Sequence, residues 1–395
     1  MTTLEILFWI FLFIIFYTYL GYGILLYILV KIKELFYKPT QPVLPATDNL
    51  PDVTLFIAAY NEEDQVNKKM QNSLDQNYPA EKLHITWITD GSNDSTNEKL
   101  KAWPQANILF QPKRQGKTMA INRGMRFIKT PIVIFTDANT MINKDAVIAI
   151  VKNFSNPKVG CVAGEKRIIN QEEDNAAGGG EGIYWKYEST LKALDARLYS
   201  AVGAAGELFA IRRELFQEMK KDTLLDDFIL SLRIAMQGYK IAYCSNAYAC
   251  ESGSANIKEE KKRKIRIAAG GLQSIWRLRG LLNPFKYGVL SFQYLSHRVL
   301  RWSITPILLF ALLPLNIILL IQYKSPVMYG IILTLQVLFY LLAGYGEYLS
   351  NKEIKIKILF IPYYFFFMNI SVLRSVPYLL RKPNKGVWEK AKRAK

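Results

Sequence analysis

The sequence predicts an α/β domain of the doubly wound type, a mostly parallel sheet with helices on both faces, carried between transmembrane helices. Three observations predict it. Between Pro51 and Asn283, short apolar runs rich in β-branched residues alternate with polar stretches of helical length. Those runs are apolar along their whole length, as strands buried on both faces must be. Long apolar runs with almost no charge lie on either side of this region, each with the length and composition of a membrane crossing.

The first such run goes from Ile6 to Val30 without one charged side chain. A helix satisfies its backbone internally, which lipid demands, so the run is predicted as a transmembrane anchor within residues 1–38. A cleaved signal peptide would want a basic start and small residues at a cut site; here the early charge is Glu5 and the run ends in "YILVKIK". Lys31, Lys33 and Lys38 follow the helix and no Lys or Arg precedes it, which places the amino terminus outside and the following domain in the cytoplasm.

Residues 39–283 form the predicted catalytic domain. Its strand-like runs are "VTLFIAAY" (53–60), "HITWITD" (84–90), "NILFQ" (107–111), "PIVIFTDA" (131–138) and "VGCVAGE" (159–165). Ligands of such sheets bind beyond the carboxyl ends of the strands. There the chain places Ala59, Tyr60 and Glu62, then Asp90 with Gly91, Ser92 and Asp94, then Asp137 and Asn139. Each cluster alone reads equally as turn and cap residues, and it is their convergence on one edge that marks a site. Tyr60 suits stacking on a flat base, and Glu62 and Asp90 suit accepting hydrogen bonds from a base or ribose. Lys117 suits the base or the phosphates. No GxGxxG follows the first strand and no GxxxxGK[ST] occurs, which argues against a dinucleotide fold or a P-loop.

Taken in order, "IAAYNEE", "ITDGSNDST", "KRQGKTMAIN", "FTDANT" and "LLDDFIL" resemble the family 2 glycosyltransferases, whose membrane-bound branch includes cellulose, chitin and hyaluronan synthases. The resemblance covers most of residues 50 to 300. It implies a GT-A fold, a nucleotide-activated donor that is usually a UDP-sugar, and inversion at the anomeric carbon. It assigns Ala59, Tyr60, Glu62, Asp90 and Lys117 to the nucleotide, and Asp137 with Asn139 to a DxD-like seat for Mg²⁺ or Mn²⁺. Asn139 departs from the usual second aspartate, leaving it open as a ligand, a ribose contact or a water-mediated neighbour. The general base maps to Asp227, with Asp226 as the adjacent carboxylate that serves either as base or as helix cap.

Trp185 and Gly206 are the acceptor candidates, Trp185 by stacking on a sugar and Gly206 by close backbone approach; both suit domain packing equally well. The QxxRW element of the synthases reads Arg263, Lys264, Ile265, Arg266, Ile267 here. Arg266 keeps the guanidinium for the diphosphate and Ile267 lacks the stacking indole. Two outcomes follow, a polysaccharide synthase of reduced type, with partner subunits, or an enzyme that adds sugar to a lipid-linked acceptor. The alternative is a catalytically inactive GT-A-like scaffold or regulatory subunit of a polysaccharide export complex.

Residues 284–301 read as an interfacial helix, and 302–347 as a transmembrane hairpin turning near Lys324. Residues 348–395 hold a last apolar segment that Arg374 interrupts, re-entrant or transmembrane, and a basic tail expected in the cytoplasm. The chain has 51 Lys plus Arg against 33 Asp plus Glu. Their clustering beside apolar segments fits anionic lipid headgroups of the inner membrane, and no nucleic-acid partner is expected. Cys161, Cys244 and Cys250 show no CxxC spacing and read as buried apolar residues; His84 and His297 read as structural.

Overall fold

The computed structural model describes residues 2–37, 42–44, 46, 49–169, 176–252, 257–322, 327–352, 354 and 356–381. Lys38, the hairpin turn at Lys324 and the basic tail from 382 onward lie outside them.

The α/β domain is an eight-stranded sheet of order β3-β2-β1-β4-β7-β6-β8-β5, the strands numbered along the chain. β1 (Val53–Ala59), β2 (Leu83–Asp90), β3 (Ala106–Gln111) and β4 (Ile132–Asp137) are parallel, with Val53 opposite both Leu83 and Ile132. These are four of the runs the sequence marks as strands. Side-chain alternation along β1 feeds two layers. Phe56 packs with Ile88, Ile121 and Phe228 on one face, and Val53 and Leu55 with Val147 and Ile150 on the other. Ile57 joins Trp87, Val66 and Met70 in a third cluster, where the Trp87 indole N–H donates to the Met70 sulfur.

The second half departs from a purely parallel reading. β7 (Leu208–Arg212) runs antiparallel to β4 and to β6 (Val159–Ile169). β8 (Lys240–Ser252) pairs in parallel with β6 and antiparallel with the two-residue β5 (Met141–Ile142). The run predicted over 159–165 thus continues to Ile169, and "KIAYCSNAYACES" is a long strand next to it.

Four helices are long and apolar enough to cross a membrane: Thr3–Phe36, Ile304–Gln322, Val327–Asn351 and Ile358–Leu380. The last corrects the expectation of a short segment interrupted at Arg374. Helix Lys357–Arg381 is continuous through Arg374, Pro362 and Pro377, and the exposed Arg374 side chain is long enough to lead its charge away from the apolar face.

The linker predicted as one interfacial helix is broken into Pro284–Tyr287, Val289–Tyr294, a π turn Leu295–Val299 and Leu300–Trp302. Gly288, at φ 51°, divides the first two pieces. Phe285 and Val289 are exposed while Gln293, His297, Arg298 and Arg301 are buried. His297 is structural, as the sequence reading had it. Its Nδ1 lies 2.6 Å from Asp195, Asp195 also accepts from Tyr22 of the first membrane helix, and Glu188 holds Arg298 at 2.6 Å and Arg301 at 3.0 Å. This buried array locks helix Ala176–Leu198 of the catalytic domain to the membrane elements. Each charge finds a partner there, as desolvated charges require.

Candidate active site

The carboxyl ends of β1, β2 and β4 open on a cleft of about 210 Å³. Ala59, Tyr60, Glu62, Asp90, Lys117, Asp137, Asn139 and Arg266 all line it. The clusters that the sequence offered separately therefore meet in one place.

Much of their polarity builds the cleft. Asn61, at φ 54°, clasps the next turn: its Nδ2 donates to Asn93 at 2.7 Å and its Oδ1 accepts the Asn93 N–H at 3.0 Å. The Glu62 N–H donates to Thr96 and the Glu63 N–H to Asp94. Ser92 and Asp94 thus serve the turn-and-cap role. Asp90 is buried and accepts N–H groups from Gln115 at 3.0 Å and Gly116 at 2.6 Å, folding residues 112–116 over the cleft. That loop delivers Arg114, whose guanidinium carbon lies 3.6 Å from the Tyr60 ring centroid. Tyr60 therefore has a cation on its ring, and a base reaching it shares that stack.

Gly91 makes this closure possible. Its φ is +70°, and a Cβ on it would lie 2.7 Å from the Arg114 backbone nitrogen. Gly91→Ala is expected to lower stability by about 1–3 kcal/mol through backbone strain and displacement of the loop, read as a fall in melting temperature.

Beside Lys117, next to the residues that line the cleft, two further carboxylates gather. Lys117 donates to Asp137 at 2.7 Å and lies 3.9 Å from Asp226. Asp226 and Asp227 begin helix Asp226–Met236, whose positive end suits their charge. Asp226 is 4% exposed and its Oδ2 has no hydrogen-bond partner. Burial, and then the Asp226 charge, push the Asp227 carboxyl up to about 7 against the pull of Lys117. Gly206 stands against this pair: a Cβ there would lie 3.3 Å from Asp227 Oδ2 and 3.5 Å from Lys117 Nζ. Beneath, fully buried Lys69 donates to Thr136 and to the Thr140 carbonyl, bracing the turn that carries Asp137 and Asn139.

Residues 51–270 match the family described as glycosyltransferase-like family 2. The chain belongs to that family. The chain is 28% identical over 245 residues to the poly-beta-1,6-N-acetyl-D-glucosamine synthase of Staphylococcus aureus strain MSSA476, covering 58% of this chain and 57% of that protein. It is 26% identical over 236 residues to the Staphylococcus epidermidis synthase of the same name, covering 57% and 56%. The chain thus matches little more than half the length of these relatives. Among solved structures, a mannosyltransferase from Pyrobaculum calidifontis in complex with GDP-Man and Mn²⁺ superimposes with a TM-score of 0.70 at 21% identity, covering 95% of this chain and 99% of that one. The fold of the chain is GT-A, as the sequence resemblance implied.

Three residues at or beside the candidate site escaped the sequence reading or were underweighted in it. Arg114 sits in a turn with no periodic signal. Arg263 joins Arg266 on the cleft wall, and the i, i+3 spacing that puts both on one helix face was the available sign. Trp302 packs on Phe228, the residue after Asp227, with ring centroids 5.0 Å apart. It also covers Gly271, where a Cβ would meet the indole at 2.6 Å. Gly271 is one helical turn beyond Ile267. Four sequence candidates do not line the cleft: Asp226, Asp227 and Gly206 adjoin it beside Lys117, and Trp185 lines a different cavity.

Proposed function

We propose that the chain is an inverting transferase that moves a sugar from a UDP-sugar to a saccharide or lipid-linked acceptor. It works at the cytoplasmic face of the inner membrane, in polysaccharide or cell-envelope glycan synthesis, with or without partner subunits. The observation that carries this reading is the convergence of Asp137, from the end of β4, and Asp226, from a helix start, on the ammonium of Lys117, with Asp227 next on that helix and close enough to feel the same charge.

Asp137 and Asn139 are the residues that would hold Mg²⁺ or Mn²⁺. Among the described residues no group of three or more His, Cys, Asp or Glu side chains is placed to hold a metal alone. One carboxylate beside one carboxamide fits a hard cation that takes its other ligands from diphosphate oxygens and water. The Lys117 ammonium 2.7 Å from Asp137 supports this reading, as positive charge already sits at that carboxylate. When bound, the metal neutralises charge on the departing diphosphate.

The chain's own groups do the rest. Arg266 offers a guanidinium fork to the phosphates. Asp227 takes the proton from the acceptor hydroxyl as that oxygen bonds to the anomeric carbon. The bond to the diphosphate breaks on the opposite face, which inverts the centre. A base near 7 is matched to this task. The rate is therefore expected to rise with pH through about 7, as Asp227 loses its proton, and to level off above; a kcat/KM profile measures this. Asp226→Asn removes a neighbouring negative charge and moves that rise to lower pH.

Detergent-solubilised protein incubated with Mn²⁺ and a panel of UDP- and GDP-sugars tests the reading through release of the nucleoside diphosphate. UDP release from one donor supports it. GDP release alone replaces the donor with the class found in the archaeal mannosyltransferase. No release from any donor favours the inactive scaffold.

A further inference from the structure

Asp227 sits in the first turn of helix Asp226–Met236, and that turn is tied to a short loop, residues 202–206. Ser231, one turn further along the helix, accepts the Ala204 N–H at 3.0 Å and donates to the Asp227 carbonyl at 2.7 Å. Gly203, at φ +89°, lets Phe228 close on the same loop, since a Cβ there would lie 2.3 Å from the Phe228 ring. Where the loop goes, the base goes with it.

The groups that hold this pair come from the linker into the second membrane helix. Arg298 is buried; its Nε donates to the Val202 carbonyl at 3.1 Å, and its Nη2 meets Glu188 at 2.6 Å. Its guanidinium carbon lies 5.9 Å from the Phe228 ring centroid and 5.3 Å from that of Trp302. Trp302, two residues before membrane helix Ile304–Gln322, packs on the same Phe228 ring and on Gly271 of helix Ile257–Arg277, which brings Arg263 and Arg266 to the donor cleft. One cluster thus touches the loop beside the base, the residue after it and the helix of the phosphate-facing arginines.

Arg298 belongs to the π turn Leu295–Val299. Ser296 of that turn meets the Tyr17 hydroxyl at 2.8 Å, and Tyr17 opens another π turn, Tyr17–Gly21, in the first membrane helix. Such turns within α-helices are frequent at functional sites. A buried ion pair adds little net stability over apolar residues of similar volume. What the Arg298 fork supplies is direction, two donors held at a fixed angle between Glu188 and Val202.

We propose that Arg298 and Trp302 are positioning residues for the reaction, carrying the seating of the membrane helices onto loop 202–206 and the start of the Asp227 helix. The base is then in register only when the α/β domain is docked on its membrane junction. This rests on the transferase reading above and adds the junction to the geometry of its site.

Arg298→Lys tests it, because it keeps a positive charge beside Glu188 and replaces the fork by one ammonium. An ångström of misplacement can cost about 10²-fold, so kcat is expected to fall at least about tenfold, with donor KM and calorimetric affinity for UDP and Mn²⁺ held within about twofold. Trp302→Leu, which removes the indole from Phe228 and leaves the bonds of Arg298, is expected to show the same split and decides the matter should Arg298→Lys fail to fold. Hydrogen–deuterium exchange of the same proteins without substrate is expected to quicken over residues 200–206 and 224–232 and to stay unchanged in β1 to β4. A role in packing alone would lower the melting temperature and leave the kcat of the folded protein as it was. That result, a loss shared equally by kcat and UDP affinity, or unchanged exchange in those two segments would each overturn the proposal. If the unmodified chain turns over no donor, the transferase reading fails, and the exchange measurement alone decides whether the junction holds these segments.

Discussion

Asp227→Asn lowers turnover by about 10²–10⁴-fold, the usual share of a general base, and leaves nucleotide and metal binding close to the unmodified protein. The substitution keeps size and hydrogen-bonding geometry, so the helix start at 226–227 and the packing of Phe228 against Trp302 are preserved. What it removes is the group proposed to accept a proton. An unactivated hydroxyl is a poor nucleophile, so the loss falls on kcat and not on donor affinity. Initial rates of nucleoside diphosphate release with acceptor present, set beside calorimetric titration of UDP and Mn²⁺, measure both. A near-normal rate removes Asp227 from the role, and a larger loss in Asp226→Asn transfers the role to its neighbour.

Asp137→Ala is expected to cost about 10²-fold or more, because charge stabilisation of this kind contributes several kcal/mol to the barrier. The change acts twice. It deletes the carboxylate proposed to hold the cation, and it releases Lys117, whose remaining acidic neighbour in the cleft is Asp226 at 3.9 Å. An ammonium freed from its 2.7 Å partner then moves toward Asp226 and Asp227, and the raised carboxyl of Asp227 comes down. The measurement is turnover against Mn²⁺ concentration at saturating donor. The expected curve rises later and reaches a lower plateau; an unchanged metal dependence contradicts the assignment.

The legible part of this molecule was the part whose physics is local. β1, β2 and β4 are largely buried on both faces, so each reads as a nearly unbroken apolar run, while edge strand β3 leaves Phe110 exposed; the polar ends fall at the same edge because the strands are parallel. β7 is short, its apolar run being only Leu208 to Ile211, and β8 lacks that signal. β8 mixes Lys240, Ser245, Asn246 and Glu251 among its apolar residues, and its charged positions look like a solvent face. In the fold Glu251 is buried with Lys166, an interaction across 85 residues that no local pattern announces. Arg114 was hidden for the same reason, since its place over Tyr60 is created by Asp90 gripping amides 25 and 26 residues away. The last membrane helix was misjudged in length because one Arg was weighted as a boundary, whereas an exposed guanidinium ends neither the hydrogen-bond ladder nor the apolar stripe. The broken linker turned on Gly288 and on buried partners for Arg298 and Arg301 that lie more than a hundred residues upstream.

The central claim is tested most directly by a structure of the protein with UDP and Mn²⁺ bound. The account predicts the metal between Asp137 and the diphosphate, Lys117 drawn off Asp137, the uracil at Tyr60, and Asp227 on the side away from the leaving phosphate. Nucleotide and metal found outside this cleft, or Asp227 on the same side as the diphosphate, would contradict it.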